Sequence, residues 1–389
     1  MPGFDNELAQ IVADLNRTAR ASREATFGTE ESSATLDSLL QLALRRGASD
    51  VLLIAGAPVG LRVNGDLSMN AGTPLTSDDT RSLLLPLLTP AQHQELQRAK
   101  SADLCFTRPG IGRFRANVHY QRSTLAGSIR LLPEKIPSLE SLHLPAGLRK
   151  FAEAKQGLVL VTGPTGCGKS STLAALLDLI NAQRRDHILT IEDPVEYVHA
   201  NRNSIVEQIE VGYDAPDFAS SIRSILRQTP DVILVGEMRD PETISTALTI
   251  AETGHLVFST LHTNDTSQAV SRILDSFPSG NQPQIRQQLS LALLAIVAQQ
   301  LVPSASSGEL GAPGRFPAVE IMIATHGVRS LIRKGEDHQL YSAISTGRSA
   351  GMTTMEQSLT EMVRAGRITR DTAMAHCFRV EDLKRYLQE

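Results

Sequence analysis

GLVLVTGPTGCGKSSTLAALLDLI, residues 157–180, carries a strand, a glycine-rich turn and a helix in succession. The apolar run from Gly157 to Thr162 has the length and continuity of a strand buried on both faces, and the stretch after Lys169 has the length of a helix. Between them Gly163-Pro164-Thr165-Gly166-Cys167-Gly168-Lys169-Ser170 fits G-x-x-x-x-G-K-[ST] in the context that motif requires. The glycines let backbone N–H groups turn inward around a phosphate, and the helix N-terminus adds its partial positive charge. Lys169 can then reach the β/γ-phosphates, while the Ser170 hydroxyl suits Mg²⁺. With Ser171 in the same first turn, Gly163 to Ser171 are the candidate nucleotide-binding residues. Cys167 takes a position that needs only a small side chain. A helix N-terminus also lowers a thiol pKa, which predicts modest sensitivity to oxidation there.

Outward from this segment the same alternation continues through HILTIED (187–193), DVILVGE (231–237) and HLVFSTLH (255–262). Short continuous apolar strands separated by helical stretches mean an α/β domain with a parallel sheet covered on both faces. Ligands collect at the C-terminal strand ends of such sheets. Glu192 follows one strand, with Asp193 and Glu196 close behind. Glu237 closes another, expected beside the P-loop strand, and Gly236 stands where an aspartate is usual. His255 opens the last strand and His262 closes it. An acid after a strand can simply cap the next helix, and it is the neighbouring P-loop that gives these residues weight. Glu192 and Glu237 remain equal candidates for the general base, since both end strands that face the same place.

Toward the N-terminus, Leu36, Leu39, Leu40, Ala43 and Leu44 have helical spacing that stops at Gly47. VLLIAG (51–56) and GLRVNGDL (60–67) read as strands, with a tight turn at Asn64-Gly65. Residues 113–120 alternate strictly: Phe114, Ala116, Val118 and Tyr120 share one face, and Arg113, Arg115, Asn117 and His119 the other. Arg130 follows on the next extended stretch. The plain alternative for these arginines is a solvated basic face. LLPEKIPSLESLHLP (131–145) carries three prolines and reads as a stiff linker. The expected organisation is a polar extension over 1–33, a first domain over 34–132, a linker over 133–145 and a second domain over 146–389. SASSGELGAPG (304–314) is an expected exposed loop.

The 389 residues are 41% apolar and 21% charged, values of a globular protein of two domains. Aromatics at 4%, no Trp and a net charge of −4 argue against a nucleic-acid module built on basic grooves and stacked rings. Cys105, Cys167 and Cys377 are too scattered for a zinc site or a disulfide framework, which points to a reducing, cytosolic setting. MPGFDNELAQ at the start lacks the pattern of a secretory leader. The apolar run ending at Ala298 falls well short of the ~20 residues of a membrane span.

GPTGCGKSS (163–171), ILTIEDPVEYVH (188–199), LRQTPDVILVGEMRDPETI (226–244) and AETGHLVFSTLHTND (251–265) resemble four motifs of the secretion-superfamily hexameric ATPases. These are the Walker A, Asp-box, atypical Walker B and His-box motifs, and the likeness is specifically to the PilT-like type IV pilus retraction motors. It runs from about Thr35 to Arg367. GASDVLL (47–53), GLRVNGDL and GRFRANVHYQRSTLAGSIRLLP (112–133) resemble the family's PAS-like N-terminal domain, and VRSLIRKG (328–335) and YSAISTGRSAGMTTMEQSL (341–359) its C-terminal motifs. Two positions depart from the pattern. Leu52 stands where the family has a histidine, and Thr325-His326-Gly327-Val328 lacks the usual Ala-Ile before Arg329.

The resemblance implies a PAS-like α+β domain followed by a RecA-like P-loop NTPase domain with a mainly parallel sheet and a C-terminal helical part. It implies hydrolysis of Mg-ATP, with Lys169 and Ser170 at the phosphates and Mg²⁺, Glu192 polarising the attacking water and Glu237 holding the Mg²⁺ shell. His255 and His262 would sense the γ-phosphate. Arg113, Arg115 and Arg130 would reach the nucleotide, often from a neighbouring subunit, where an arginine acting in trans is worth ~10³–10⁵ in rate. The implied partners are five further copies in a homohexamer and the inner-membrane pilus platform protein, engaged from the cytoplasmic face, with no nucleic acid. Pilus-extension and secretion ATPases of the same superfamily are rivals, as is an accessory retraction motor. The extension and secretion enzymes usually carry a longer N-terminal region and a four-cysteine zinc loop. From other classes come a RecA-like nucleic-acid motor and a nucleotide-binding partner that does not hydrolyse.

Overall fold

A computed structural model describes residues 29–63, 65–69, 73–307 and 313–388. Most of the expected N-terminal extension, residues 1–28, and the centre of the expected 304–314 loop lie outside the described residues, as does Asn64. The chain divides into two units between Glu134 and Lys135.

The first unit has helix α1 (Thr29–Arg45), strands β1 (Ala48–Ile54), β2 (Gly60–Val63) and β3 (Asp66–Met69), helices α2 (Ser77–Leu84) and α3 (Pro90–Ala99), then β4 (Ser101–Arg108), β5 (Gly112–Gln121) and β6 (Thr124–Leu132). The six strands form an antiparallel sheet in the order β3-β2-β1-β6-β5-β4. Leu36, Leu39, Leu40 and Ala43 of α1 join Leu83 and Leu84 of α2 in one core with Val51, Phe114, Ala116, Val118 and Ile129 of the sheet. Where α2 crosses β6 there is no room for a side chain: a Cβ on Gly127 would lie 2.5 Å from Leu84 Cδ2. Gly47 ends α1 with φ +63°, and Gly65 turns the β2–β3 hairpin with φ +95°. The helical spacing misplaces one residue of α1, since Leu42 is buried and Leu44 is 41% exposed. The alternation of β5 likewise fails at Tyr120. The strand is ending there, and the exposed ring lies under the Lys100 ammonium, 5.6 Å from its centroid.

The second unit contains α4 (Arg149–Glu153), β7 (Gly157–Thr162), α5 (Lys169–Gln183), β8 (His187–Glu192), β9 (Ile205–Glu210), α6 (Phe218–Ile225), β10 (Val232–Val235), α7 (Pro241–Glu252), β11 (Leu256–Leu261), α8 (Thr266–Asp275), α9 (Gln282–Ala292), β12 (Leu293–Ser307) and β13 (Pro313–Ile323). Helices α10 (His326–Lys334), α11 (Leu340–Thr346), α12 (Met355–Arg364), α13 (Arg370–His376) and α14 (Val380–Gln388) complete it. The sheet order is β13-β12-β7-β11-β10-β8-β9, parallel except for β13. β7, β10 and β11 are buried along their whole length, which is why they read as unbroken apolar runs. Leu158 and Leu160 of β7 pack in the core that holds α6 to α9, whereas Val159 and Val161 meet Leu173, Leu176 and Leu177 of α5. Val302 and Ala318 of the β12–β13 hairpin share a smaller core with Met355, Leu359 and Leu383 of the C-terminal helices.

Two expectations are corrected here. The strand ending toward Glu237, β10, does not lie beside the P-loop strand, because β11 runs between them. Both candidates for that position are short, apolar and wholly buried, so pattern alone cannot order them. The proline-rich segment is not a free linker beyond Glu134. Leu139 and Leu144, 4% and 7% exposed, enter the core of the second unit beside Leu148 and Phe151. The prolines mask an apolar spacing that packs.

Candidate active site

The P-loop leaves β7 at Thr162 and enters α5 at Lys169. Gly163, Gly166 and Gly168 have φ of +142°, +78° and +91°, values that L side chains rarely adopt. Space adds a second reason at two of them. A Cβ on Gly163 would fall 2.2 Å from the Gln299 carbonyl oxygen, and one on Gly168 2.9 Å from Gln299 Nε2. The loop is a cradle of bare backbone held against β12.

Lys169 is buried, 8% exposed, and its ammonium donates to Gly163 O at 2.8 Å and Pro164 O at 3.1 Å. Burial pushes its pKa below the ordinary lysine value. Its Nζ also lies 3.5 Å from His262 Nδ1. An ammonium cannot accept, so Nδ1 is the acceptor and the ring proton sits on Nε2, 3.3 Å from Glu237 Oε2. The other Glu237 oxygen, Oε1, pairs with Arg239 at 2.5 Å. Lys169, His262, Glu237 and Arg239 thus form one chain along adjacent strand ends.

Glu192 is half-buried at the end of β8. Its Oε1 accepts from Thr190 Oγ1 at 2.7 Å and Gln208 Nε2 at 3.2 Å. Burial pushes its carboxyl up to about 7, and nearby Glu196 adds to the rise. The two strand-end acids are therefore not alike: Glu237 is paired with the Arg239 cation and accepts from the neutral His262 ring, and Glu192 is poised to exchange a proton near neutrality. Capping falls to Asp240 on α7 and Asp265 on α8, so neither Glu192 nor Glu237 is occupied in that way.

The donors fit a Mg²⁺–nucleoside triphosphate. Lys169 is a buried cation whose hydrogen-bond partners are carbonyls and an imidazole, which an anionic phosphate would complement. The buried hydroxyls of Thr162 and Thr263, at the P-loop end of the sheet, have no partner among the described residues. No group of three or more His, Cys, Asp or Glu among the described residues could hold a metal by itself. A metal here would be carried by phosphates and water with Ser170 and Glu237 supplying hard oxygens, as suits Mg²⁺.

The family model described as Type II/IV secretion system protein matches residues 141–375. The chain belongs to that family. It is 42% identical over 335 residues to the type IV pilus retractation ATPase PilT of Pseudomonas aeruginosa, a match covering 86% of this chain and 96% of that protein. It is 40% identical over 348 residues to the type IV pilus ATPase PilU of the same organism, covering 90% of each. A crystal structure of the pilus retraction motor PilT with bound ADP superimposes with a TM-score of 0.82 at 41% identity, over 90% of this chain and 98% of that one. The PilT likeness and the secretion-family fold expected from the four motifs are borne out.

Of the expected site residues in this family member, Gly163 to Ser171, Glu192, Glu237 and His262 come together at the C-terminal ends of β7, β8, β10 and β11. Ser171 is directed to Tyr197, with its Oγ 2.8 Å from the phenol oxygen. His255 is placed elsewhere. Its carbonyl accepts from Gly157 N, at the start of β7, and its Nδ1 lies 3.1 Å from Ile250 O. Seven residues of extended chain, about 23 Å, separate it from His262, so it does not share this site within its own subunit. Arg113, Arg115 and Arg130 stand on β5 and β6 of the first unit. Cys167 is 3% exposed, and burial raises its thiol pKa, which overturns the expected sensitivity to oxidation.

Sequence reasoning missed Gln208, Tyr197, Arg239 and Gln299. Gln208 reaches Glu192 from the edge strand and also donates to Tyr197 O at 2.9 Å. Gln208, Tyr197 and Gln299 carry no local signal, because each acts between separate elements, whereas Arg239 pairs with Glu237 only two residues away.

Proposed function

We propose that this chain hydrolyses Mg-ATP as a homohexameric motor that drives type IV pilus retraction from the cytoplasmic face of the inner membrane, engaging the pilus platform protein there. The observation that carries the proposal is the near full-length likeness to PilT joined to a complete P-loop, Glu192, Glu237 and His262 set at the same strand ends. Lys169 holds the β/γ-phosphates, and Ser170 and Glu237 serve the Mg²⁺ shell. Glu192 Oε takes the proton of the attacking water. His262 reports the γ-phosphate to Glu237 through its two ring nitrogens. Arg113, Arg115 and Arg130 act on a neighbouring subunit's nucleotide, which makes assembly a requirement for turnover. Among the described residues no helix is long and apolar enough to cross a membrane, in keeping with a peripheral engagement.

The test is a count of surface pili on cells lacking this gene, complemented with wild type or Lys169→Ala. Excess pili that fail to retract, rescued only by wild type, support retraction. Bald cells would mean an extension motor. The comparable likeness to PilU favours one second reading, an accessory motor. It predicts unchanged pili until the principal motor is also removed, and a secretion ATPase predicts unchanged pili in both backgrounds.

A further inference from the structure

We infer that Gln299, on β12, is the residue that sets the P-loop in its phosphate-binding conformation, and so is a positioning residue for nucleotide binding. Its side chain is 3% exposed and lies between two parts of the loop-helix junction. Nε2 donates to the Cys167 carbonyl at 2.6 Å, and Oε1 accepts from Thr172 Oγ1 at 2.8 Å. The amide cannot be turned round, because the Cys167 carbonyl only accepts and an oxygen facing it would repel.

The consequence follows from the planarity of the peptide. In the Cys167–Gly168 unit the carbonyl and the Gly168 N–H point to opposite sides. Tying the carbonyl back to β12 turns the Gly168 N–H away from β12 and into the cradle, where a phosphate oxygen can accept it. The same residue explains the bare backbone at the loop's two ends, since the Gln299 carbonyl stands where a Cβ of Gly163 would be and its Nε2 crowds Gly168. β7 and β12 are neighbours in register, with Thr162 opposite Ala298, so this bracing comes from the sheet itself.

The inference rests on the P-loop being the nucleotide site, and the experiment separates the two. Gln299→Met keeps the length and removes both hydrogen bonds. Gln299→Glu is isosteric but sets an acceptor against the Cys167 carbonyl. Thr172→Val releases the other end of the amide. Fluorescent ADP titration, ATP kinetics and melting without nucleotide are measured for each, with Lys169→Ala alongside. Expected are an ADP Kd and an ATP KM raised about tenfold in Gln299→Met, the value of one hydrogen bond, and further in Gln299→Glu. Thr172→Val is expected to show a smaller rise, and kcat at saturation to change less than about threefold in the Met variant. A residue that only stabilises the fold would lower the melting temperature without this KM-against-kcat split. Wild-type ADP affinity in the folded Gln299→Met and Thr172→Val variants overturns the inference. ADP affinity unchanged in Lys169→Ala would instead overturn the placement of the nucleotide.

Discussion

Arg115 on β5 and Arg130 on β6 stand directly opposite each other in the antiparallel ladder. Like charges so placed destabilise a sheet by a few tenths of a kcal/mol to about 1 kcal/mol. Arg130 is relieved by Asp50 on the next strand, its Nε 2.9 Å from the carboxylate, and Arg62 approaches the same Asp50 at 3.8 Å. Among the described residues Arg115 has no such partner. A cation kept next to another cation without a carboxylate suits an anionic target outside its own unit. Arg115→Ala is expected to cut ATPase activity by roughly 10³-fold at saturating protein while leaving Tm unchanged or slightly raised and ADP binding intact. Wild-type specific activity should climb with protein concentration as the ring assembles. Full activity in a confirmed monomer, by ultracentrifugation and steady-state assay, would remove the trans role.

Glu192 makes a prediction in pH. Its folded carboxyl titrates at about 7, above the ordinary value of 4.5. Between those two values the unfolded chain has released the proton and the folded chain still holds it, so stability falls as pH rises through that window. Glu192→Gln can keep the bonds from Thr190 and Gln208 without the buried charge. Its Tm should exceed wild type at pH 8 and converge with it near pH 5, while ATPase activity drops by about 10²–10⁴-fold. Wild-type activity should rise with pH on a limb centred near 7. Identical melting curves for the two proteins at pH 8 would argue against the raised carboxyl.

Glu237 should behave differently, because one of its oxygens is paired with the Arg239 guanidinium, whereas Glu192 is met only by neutral donors. Glu237→Gln is expected to raise the Mg²⁺ concentration for half-maximal activity by about tenfold, with little change in the position of the acidic limb. A Mg²⁺ titration of both glutamine variants distinguishes them, and an equal Mg²⁺ dependence would undo the division of roles.

Cys167 should be inert. Hydrogen peroxide at concentrations that oxidise exposed thiols should leave ATPase activity within about twofold of untreated enzyme, and Cys167→Ser should do the same. Loss of activity that Cys167→Ser prevents would mean that the loop opens enough to expose the thiol.

The two-domain α/β architecture, the P-loop and its strand-and-helix flanks were legible in the chain because each depends on residues close in sequence. Glycines at fixed spacing make a cradle wherever they occur, and an apolar run of six residues buries itself on either face of a sheet. The alternation of residues 113–118 was equally local, and it broke at Tyr120 only because the strand ended. Strand order was beyond reach: β10 and β11 are both short, apolar and buried, and only packing decides which lies against β7. The prolines of 133–145 signalled a linker, but Leu139 and Leu144 found a core to enter.

The residues of the site divide in the same way. Lys169, Glu192, Glu237 and His262 announce themselves by type at the ends of strands, and the chemistry they can perform is contained in the sequence. Which acid is caged and which is paired, and that Gln299 braces a loop more than a hundred residues away, were decided by the tertiary structure. Covalent spacing sets what a segment can become. Burial, charge pairing and pKa belong to the neighbours that the folded sheet brings to it.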